Sequence, residues 1–286
     1  MSKEFFEKLV ELSRKEEPFA IATVVHIEGS SSAKPGSKAI IDVKEKLLFG
    51  WVGGGCAEST VRYEAAASIK DGTTRMITID MTDEVLGVGM PCGGTMQVYI
   101  EPVLPKPKLL IIGHGRIAET LVAIGKMMNF SVTVNSPAAT REAFPAANSV
   151  VNQPVDQMQI DNNSYVVIAT QHKQDHLSLK AALEGKAAYI ALIASRKRAN
   201  LVLDYVLDAH VPRAELSRVR TPAGIDIGAI TPEEIALSIM SQIVAVLRGG
   251  SGRPLHEVKT SEASETENAS LHVDKIIDSC SSENQS

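Results

Sequence analysis

Cysteine is scarce: the 286 residues contain three, Cys56, Cys92 and Cys280. That excludes a disulfide scaffold and makes a reducing cytoplasm the expected compartment. Aromatic residues make up only 4%, which argues against a large aromatic stacking surface. No basic stretch is interleaved with aromatics and the formal net charge is −5, so nucleic acid is not an expected partner. No apolar run approaches the ~20 residues that span a bilayer, and a membrane is not an expected partner either. The opening Met1-Ser-Lys-Glu-Phe-Phe-Glu-Lys lacks the apolar stretch of a secretory signal.

What is present fits a two-domain α/β protein. Hydrophobic residues make up 44% and charged residues 22%, enough for two cores. Four of the net negative charges fall after Gly252, so the remainder is nearly neutral. Residues 3–15 read as an amphipathic helix and Ala20 to Ile27 as a strand. Ala39-Ile40-Ile41 and Leu47-Leu48-Phe49 read as a hairpin, and Ala57 to Ile69 as a helix. Strands are predicted at Arg75 to Ile79 and Thr95 to Glu101. Pro102-Val103-Leu104-Pro105-Lys106-Pro107 has three prolines in six residues. It reads as a stiff linker that ends the sheet.

Beyond the linker, strands alternate with helices, the pattern of a parallel sheet covered on both faces. Strands are predicted at Lys108 to Ile112, Ser131 to Val134, Ser164 to Thr170 and Ala187 to Ile193. The last helix is marked by Thr231-Pro232-Glu233-Glu234: an N-cap threonine, a proline at the first position and a capping-box glutamate. Ile235, Ile239, Ile243, Val246 and Leu247 form its predicted buried stripe, and Gly249-Gly250 stops it. The expected organisation is an N-terminal α+β domain over 1–104, a Rossmann-like doubly wound parallel-sheet domain over 105–250, and a disordered acidic tail over 251–286.

Three glycine-rich segments carry candidate chemistry. Gly113-His114-Gly115-Arg116-Ile117-Ala118 matches a dinucleotide fingerprint between a strand and a helix. The glycines there make the turn and admit a pyrophosphate at the helix N-terminus. NAD sites carry Asp or Glu about 20 residues further on, whereas this chain has Asn135. NAD(P) is therefore a doubtful ligand, and an empty or repurposed site is the alternative. Gly53-Gly54-Gly55-Cys56 reads as an anion-binding nest ahead of a helix whose dipole favours a thiolate; a small buried cysteine beside a turn is the alternative. Cys92-Gly93-Gly94 places a second cysteine among glycines. Together they point to a soft-metal, sulfur-transfer or redox role. Their spacing matches neither a structural zinc site nor a thioredoxin motif.

Two polar segments are open to two readings each. His172 and His176 are spaced for one helix face and a metal, or belong to a polar turn capped by Asp175. Ser195-Arg196-Lys197-Arg198 suits phosphate, or is an ordinary helix start.

Taken in order, these pieces resemble the XdhC/CoxI family, accessory proteins of molybdenum hydroxylases such as xanthine dehydrogenase and carbon monoxide dehydrogenase. The resemblance covers roughly residues 5–250. It rests on Gly29-Ser30-Ser31, Gly53 to Glu58, Cys92-Gly93-Gly94, Gly113-His114-Gly115, Thr170 to Asp175, Ser195-Arg196-Lys197 and, most specifically, Thr221 to Ala229 with Thr231 to Ala236. It implies a chaperone, not an enzyme in the ordinary sense, with molybdenum cofactor as transient cargo. The implied partners are a cysteine desulfurase, an apo molybdenum hydroxylase and a second copy in a homodimer. The implied working thiols are Cys92, which is also the metal ligand, and Cys56. Gly53, Gly54, Gly55, Gly93, Gly94, Gly113, Gly115, Ser195 and Arg196 would hold the cofactor. The competing reading is an NAD(P)-dependent oxidoreductase, with His172 as proton relay.

Overall fold

The computed structural model describes residues 3–29, 31–80, 94–170 and 174–258. The chain divides into two compact units, one up to Lys106 and one from Pro107.

The first unit opens with helix α1 (Lys3–Arg14), followed by β1 (Phe19–Gly29), β2 (Lys38–Asp42), β3 (Leu47–Gly50), helix α2 (Cys56–Asp71), β4 (Arg75–Asp80) and β5 (Gly94–Val103). The five strands form one antiparallel sheet in the order β3-β2-β1-β5-β4. Period-two alternation divides the long strand β1 between two cores. Ala20, Ala22 and Val24 join Val61, Ala65 and Ile69 of α2. Phe19 and Ile21 join Phe5 and Leu12 of α1 on the opposite face.

The proline segment corrects one sequence expectation. Strand β5 continues through Pro102, which pairs with Ala20, to Val103. The partner on its other side has already stopped, because β4 begins at the Arg75–Ile100 pair. A proline without an N–H is tolerated where one flank of the strand has no partner.

The second unit contains β6 (Lys108–Gly113), α3 (Arg116–Met127), β7 (Ser131–Asn135), β8 (Ser149–Val151), β9 (Ser164–Ala169), α4 (Asp175–Glu184), β10 (Tyr189–Leu192), α5 (Arg196–Asp208), β11 (Val219–Arg220) and α6 (Pro232–Arg248). Its six strands are all parallel, in the order β11-β10-β9-β6-β7-β8. That order runs outward in both directions from β6 and β9, as in doubly wound dinucleotide-binding sheets. Strand β6 is buried on both faces, as its unbroken apolar run requires. Leu109 and Ile111 pack with α3 and α6, and Leu110 and Ile112 with α4 and α5. The short strands β8 and β11 escaped the sequence reading, because runs of three and two residues leave no period to detect.

Helix α6 begins as its sequence predicts. Thr231 Oγ1 accepts from the Glu234 N–H at 3.3 Å, and Glu234 Oε2 accepts from the N–H groups of Ile230 at 2.8 Å and Thr231 at 2.9 Å. The Thr231 and Ile230 N–H groups hold the Glu234 carboxyl below its ordinary pKa. Its contribution is therefore fully present above the ordinary carboxylate value and is lost as pH falls from there through the lowered folded-state value. The buried stripe is Ala236, Ile239, Met240 and Ile243. Val246 is 42% exposed, whereas Leu247, the next residue, packs against the core; Val246 falls on the outer side of the stripe. Thr231→Ala is expected to destabilise the chain by about 1 kcal/mol, read as a lower denaturation midpoint with an unchanged m-value.

Tyr189 at the start of β10 donates to Gln242 Oε1 of α6 at 2.6 Å. Burial pushes the phenol up, so it remains a donor across the working pH range. Beyond Gly249, which caps α6 in the left-handed region, residues 255–258 form one helical turn. The expected disordered tail thus carries some order at its start. The rest of it, with Cys280, lies outside the described residues.

Candidate functional site

Gly29 and Gly94 pair at one end of the first unit's sheet, and Gly53 lies close by. Gly53 is buried at φ 113°, and a Cβ there would lie 3.9 Å from Ala33 and 4.0 Å from Met96. The β1–β2 connection, the segment before α2 and the start of β5 therefore meet at this point. Gly55 caps α2 at φ 63°, ψ −135°, without a side-chain cap. Cys56 is the first residue of α2, so its backbone lies at the positive end of the helix. A Cβ on Gly54 would meet nothing within 4 Å among the described residues. Gly94 pairs with Gly29 at φ 151°, and a Cβ would overlap the Glu28 carbonyl, so the strand crossing requires glycine. Cys92 and Gly93 lie outside the described residues.

The second unit has a cleft of about 1120 Å³ at the carboxyl ends of its strands. Strands β6 and β9 are adjacent, and the order reverses between them. Gly113 pairs with Ala169, so His114 and Thr170 stand next to each other at the switch point. Both line the cleft, with Asn135 and Ser136 from the end of β7 and Gln174, Ser178 and Glu184 of the α4 segment. His114 Nδ1 lies 3.1 Å from Ser136 Oγ. Ser136 is 5% exposed and also accepts from the Ala138 N–H at 3.3 Å.

Asn135 is committed elsewhere. Its amide donates to the Gln153 carbonyl at 2.9 Å and accepts from the Gln153 N–H at 3.1 Å. It ties β7 to the segment after β8 and is only 4% exposed. A ribose would have to displace both bonds.

The structure places Gly113 in the cleft, but Gly115, Ser195 and Arg196 are not among its lining residues. Ser195 caps α5 through an accepting bond from the Arg198 N–H at 3.4 Å, and both Ser195 and Arg196 are exposed. Asp175 is the first residue of α4 and not its cap; the cap is Gln174. The Asp175 carboxylate is buried because it faces inward, where it accepts from Thr170 Oγ1 and from Arg198 at 3.3 Å. His176 packs on Tyr205 with ring centroids 4.5 Å apart, and His172 lies outside the described residues. Among the described residues no group of three or more His, Cys, Asp or Glu is placed to hold a metal ion. No helix there is long and apolar enough to cross a membrane.

Sequence reasoning did not single out Ser136 or Ser178. Ser178 had one legible signal: it is a hydroxyl on the face that also carries Leu179, Ala182 and Leu183, all buried.

Two family descriptions match the chain. Residues 109–243 match the XdhC Rossmann domain, and residues 12–80 match the XdhC and CoxI family. The chain belongs to the XdhC and CoxI family. Among its relatives is the uncharacterized protein YqeB of Escherichia coli (strain K12), 28% identical over 86% of this chain and 47% of that one. The chain thus spans about half the length of that relative. A probable xanthine dehydrogenase subunit from Bacillus subtilis (strain 168) is 24% identical, covering 84% of this chain and 96% of its own. The molybdenum cofactor insertion chaperone PaoD of Escherichia coli (strain K12) is 22% identical, covering 79% and 82%. The doubly wound sheet of the second unit is the Rossmann domain of this XdhC-type protein.

Proposed function

We propose that this XdhC-family chain binds molybdenum cofactor as cargo, presents it to a cysteine desulfurase for exchange of an oxo for a sulfido ligand, and passes it to an apo molybdenum hydroxylase. The observation that carries the reading is the open glycine turn at the head of α2. Among the described residues nothing lies within 4 Å of a Cβ on Gly54, and Gly55 leaves the first-turn N–H groups without a side-chain cap. Such a turn suits an anionic pterin that carries a phosphate. Cys56 follows it directly, and Gly94, two residues after Cys92, starts the neighbouring strand. A thiolate is the side chain that suits a soft metal or a transferred sulfur. The relatives named for xanthine dehydrogenase and for molybdenum cofactor insertion support the same reading. Cys92 is the favoured ligand of the metal, with Cys56 as the second thiol. Gly53, Gly55, Gly93 and Gly94 are proposed as cofactor contacts of the first unit, and Gly113, Gly115, Ser195 and Arg196 as contacts of the second. A cytoplasmic homodimer is part of this proposal.

The test is direct. Protein purified from a molybdate-replete host is expected to retain molybdenum and pterin absorbance. Calorimetric titration with NAD and NADP is expected to show no sub-micromolar binding, because Asn135 is held by Gln153 where a ribose-binding carboxylate would stand. Tight nicotinamide binding without pterin would replace the chaperone reading with an oxidoreductase.

A further inference from the structure

The fingerprint turn is not where the cleft of the second unit offers its hydrogen-bond donors. Gly115, Arg116 and Ile117, which open α3, are not among the lining residues. Arg116 is engaged by Glu233 at 2.6 Å and by Glu119 at 3.5 Å. Two carboxylates against one guanidinium make that first turn a poor place for an anion. The other helix that starts at the switch point is α4, and its first turn does line the cleft, through Gln174, Leu177 and Ser178.

Three features of α4 point to a ligand. Its cap, Gln174, adopts φ 61° without being glycine and makes no side-chain capping bond. The first intrahelical bond is made by the Ser178 N–H to the Gln174 carbonyl at 3.1 Å, so the N–H groups of residues 175–177 precede the ladder. Ser178 is only 2% exposed and lines the cleft, yet its hydroxyl makes no hydrogen bond among the described residues. Helical Cβ atoms tilt toward the N-terminus, which aims that hydroxyl at the same turn. That oxygen is not among the buried unpartnered atoms, so it opens onto the cleft, where a ligand can reach it.

The surrounding charges permit an anion. Asp175 sits in the turn, but its carboxylate faces Thr170 and Arg198 and is neutralised there. Glu184 lies at the far end of α4, roughly 14 Å away at 1.5 Å per residue, with Lys180 at 3.9 Å. Asp156 is the remaining acid on the lining. His114, also on the lining, has Nδ1 3.1 Å from Ser136 Oγ; in the tautomer where the Ser136 hydroxyl donates to Nδ1, Nε2 carries the proton and can donate.

We propose that this cleft binds a phosphate monoester at the N-terminus of α4, through the first-turn N–H groups and the Ser178 hydroxyl, with His114 facing it. Only the identity of the natural ligand rests on the chaperone reading. The phosphate belongs either to a pterin or to a nucleotide, and both present the same terminal group.

Calorimetric titration of the full chain tests this with AMP, ribose 5-phosphate, a pterin carrying a phosphate monoester, and adenosine. AMP is expected to bind at least tenfold more tightly than adenosine, and ribose 5-phosphate is expected to compete with it. Ser178→Ala is expected to weaken AMP about tenfold, in line with one hydrogen bond to a charged group. It should leave adenosine unchanged, and Ser178→Thr should restore binding. A preference for the pterin phosphate over AMP, or the reverse, identifies the source while supporting the site. Equal binding of AMP and adenosine overturns the inference. So does a Ser178→Ala variant that binds AMP normally while Gly115→Val loses it. Molybdenum retention is read separately. Retained molybdenum with no phosphate binding in the cleft overturns this inference and leaves the chaperone reading standing; phosphate binding without molybdenum does the opposite.

Discussion

Replacing Cys56 and Cys92 together with serine is expected to cut the activity and sulfido content of a co-expressed molybdenum hydroxylase at least tenfold, while Cys280→Ser has no effect. The reason is chemical. Serine keeps the size and hydrogen bonding of cysteine but is a poor ligand for a soft metal and cannot carry sulfur. Cys56 opens α2, and the helix dipole is worth up to roughly 1 kcal/mol for an anion at an exposed site. That corresponds to less than about one pKa unit, too little to make a strong nucleophile unaided. Cys92 is therefore expected to show the larger single effect, with cofactor or a partner supplying the rest of its activation. The readouts are client activity, client sulfido content and cofactor retained by the purified variant. If the double variant folds, holds cofactor and matures its client fully, the thiol mechanism is wrong, and backbone amides and basic residues alone hold the cargo.

Gly113→Val is expected to be the most damaging single change in the second unit, costing more than about 3 kcal/mol from combined backbone strain and overpacking. Gly113 ends β6 at φ 135°. Any Cβ there would overlap the Ala169 carbonyl and lie 2.9 Å from the Thr170 nitrogen. Both obstacles are backbone of the neighbouring central strand, so neither can turn aside. The pairing that sets His114 beside Thr170 would be pushed apart, and the cleft with it. Gly228→Ala is the control. Gly228 also has positive φ, at 68°, but a Cβ there meets nothing within 4 Å, so only about 1 kcal/mol of conformational cost is expected. Denaturant titration of the two variants separates close approach from conformational strain. Equal losses would show that the contact with Ala169 does not matter.

The glycine fingerprint shows where local reading succeeds and where it stops. Gly113-His114-Gly115 follows a strand and opens a helix, as its spacing predicts. The small residue that completes it, Ala118, is fully buried against the sheet. The first glycine is required for a reason the motif does not contain, namely the backbone of β9, which lies 56 positions further along the chain. Asn135 followed the same course. Its place at the end of β7 was legible, but its bonds to Gln153 were not, because they depend on the route taken after β8. Pro102 and Val246 mark the opposite limit. A residue type predicts what it prefers, whereas a flank without a partner strand or the rotation of a helix against its core decides what it is allowed.

The sequence by itself determined most of the elements and their order: an α+β unit with a hairpin, a proline-rich join, then alternating strands and helices, with capping residues that start and stop α6. These are local properties, because hydrophobic period, turn residues and caps act within a few positions of one another. Tertiary structure alone decided which strands are neighbours, and so which loop ends share a cleft. It set His114 against Ser136 and Thr170, and it turned the unbonded hydroxyl of Ser178 toward the same space. It also held Ser195 and Arg196 out of the cleft lining. Strand order is settled by burial and packing between residues far apart in the chain, and no local pattern records that sum.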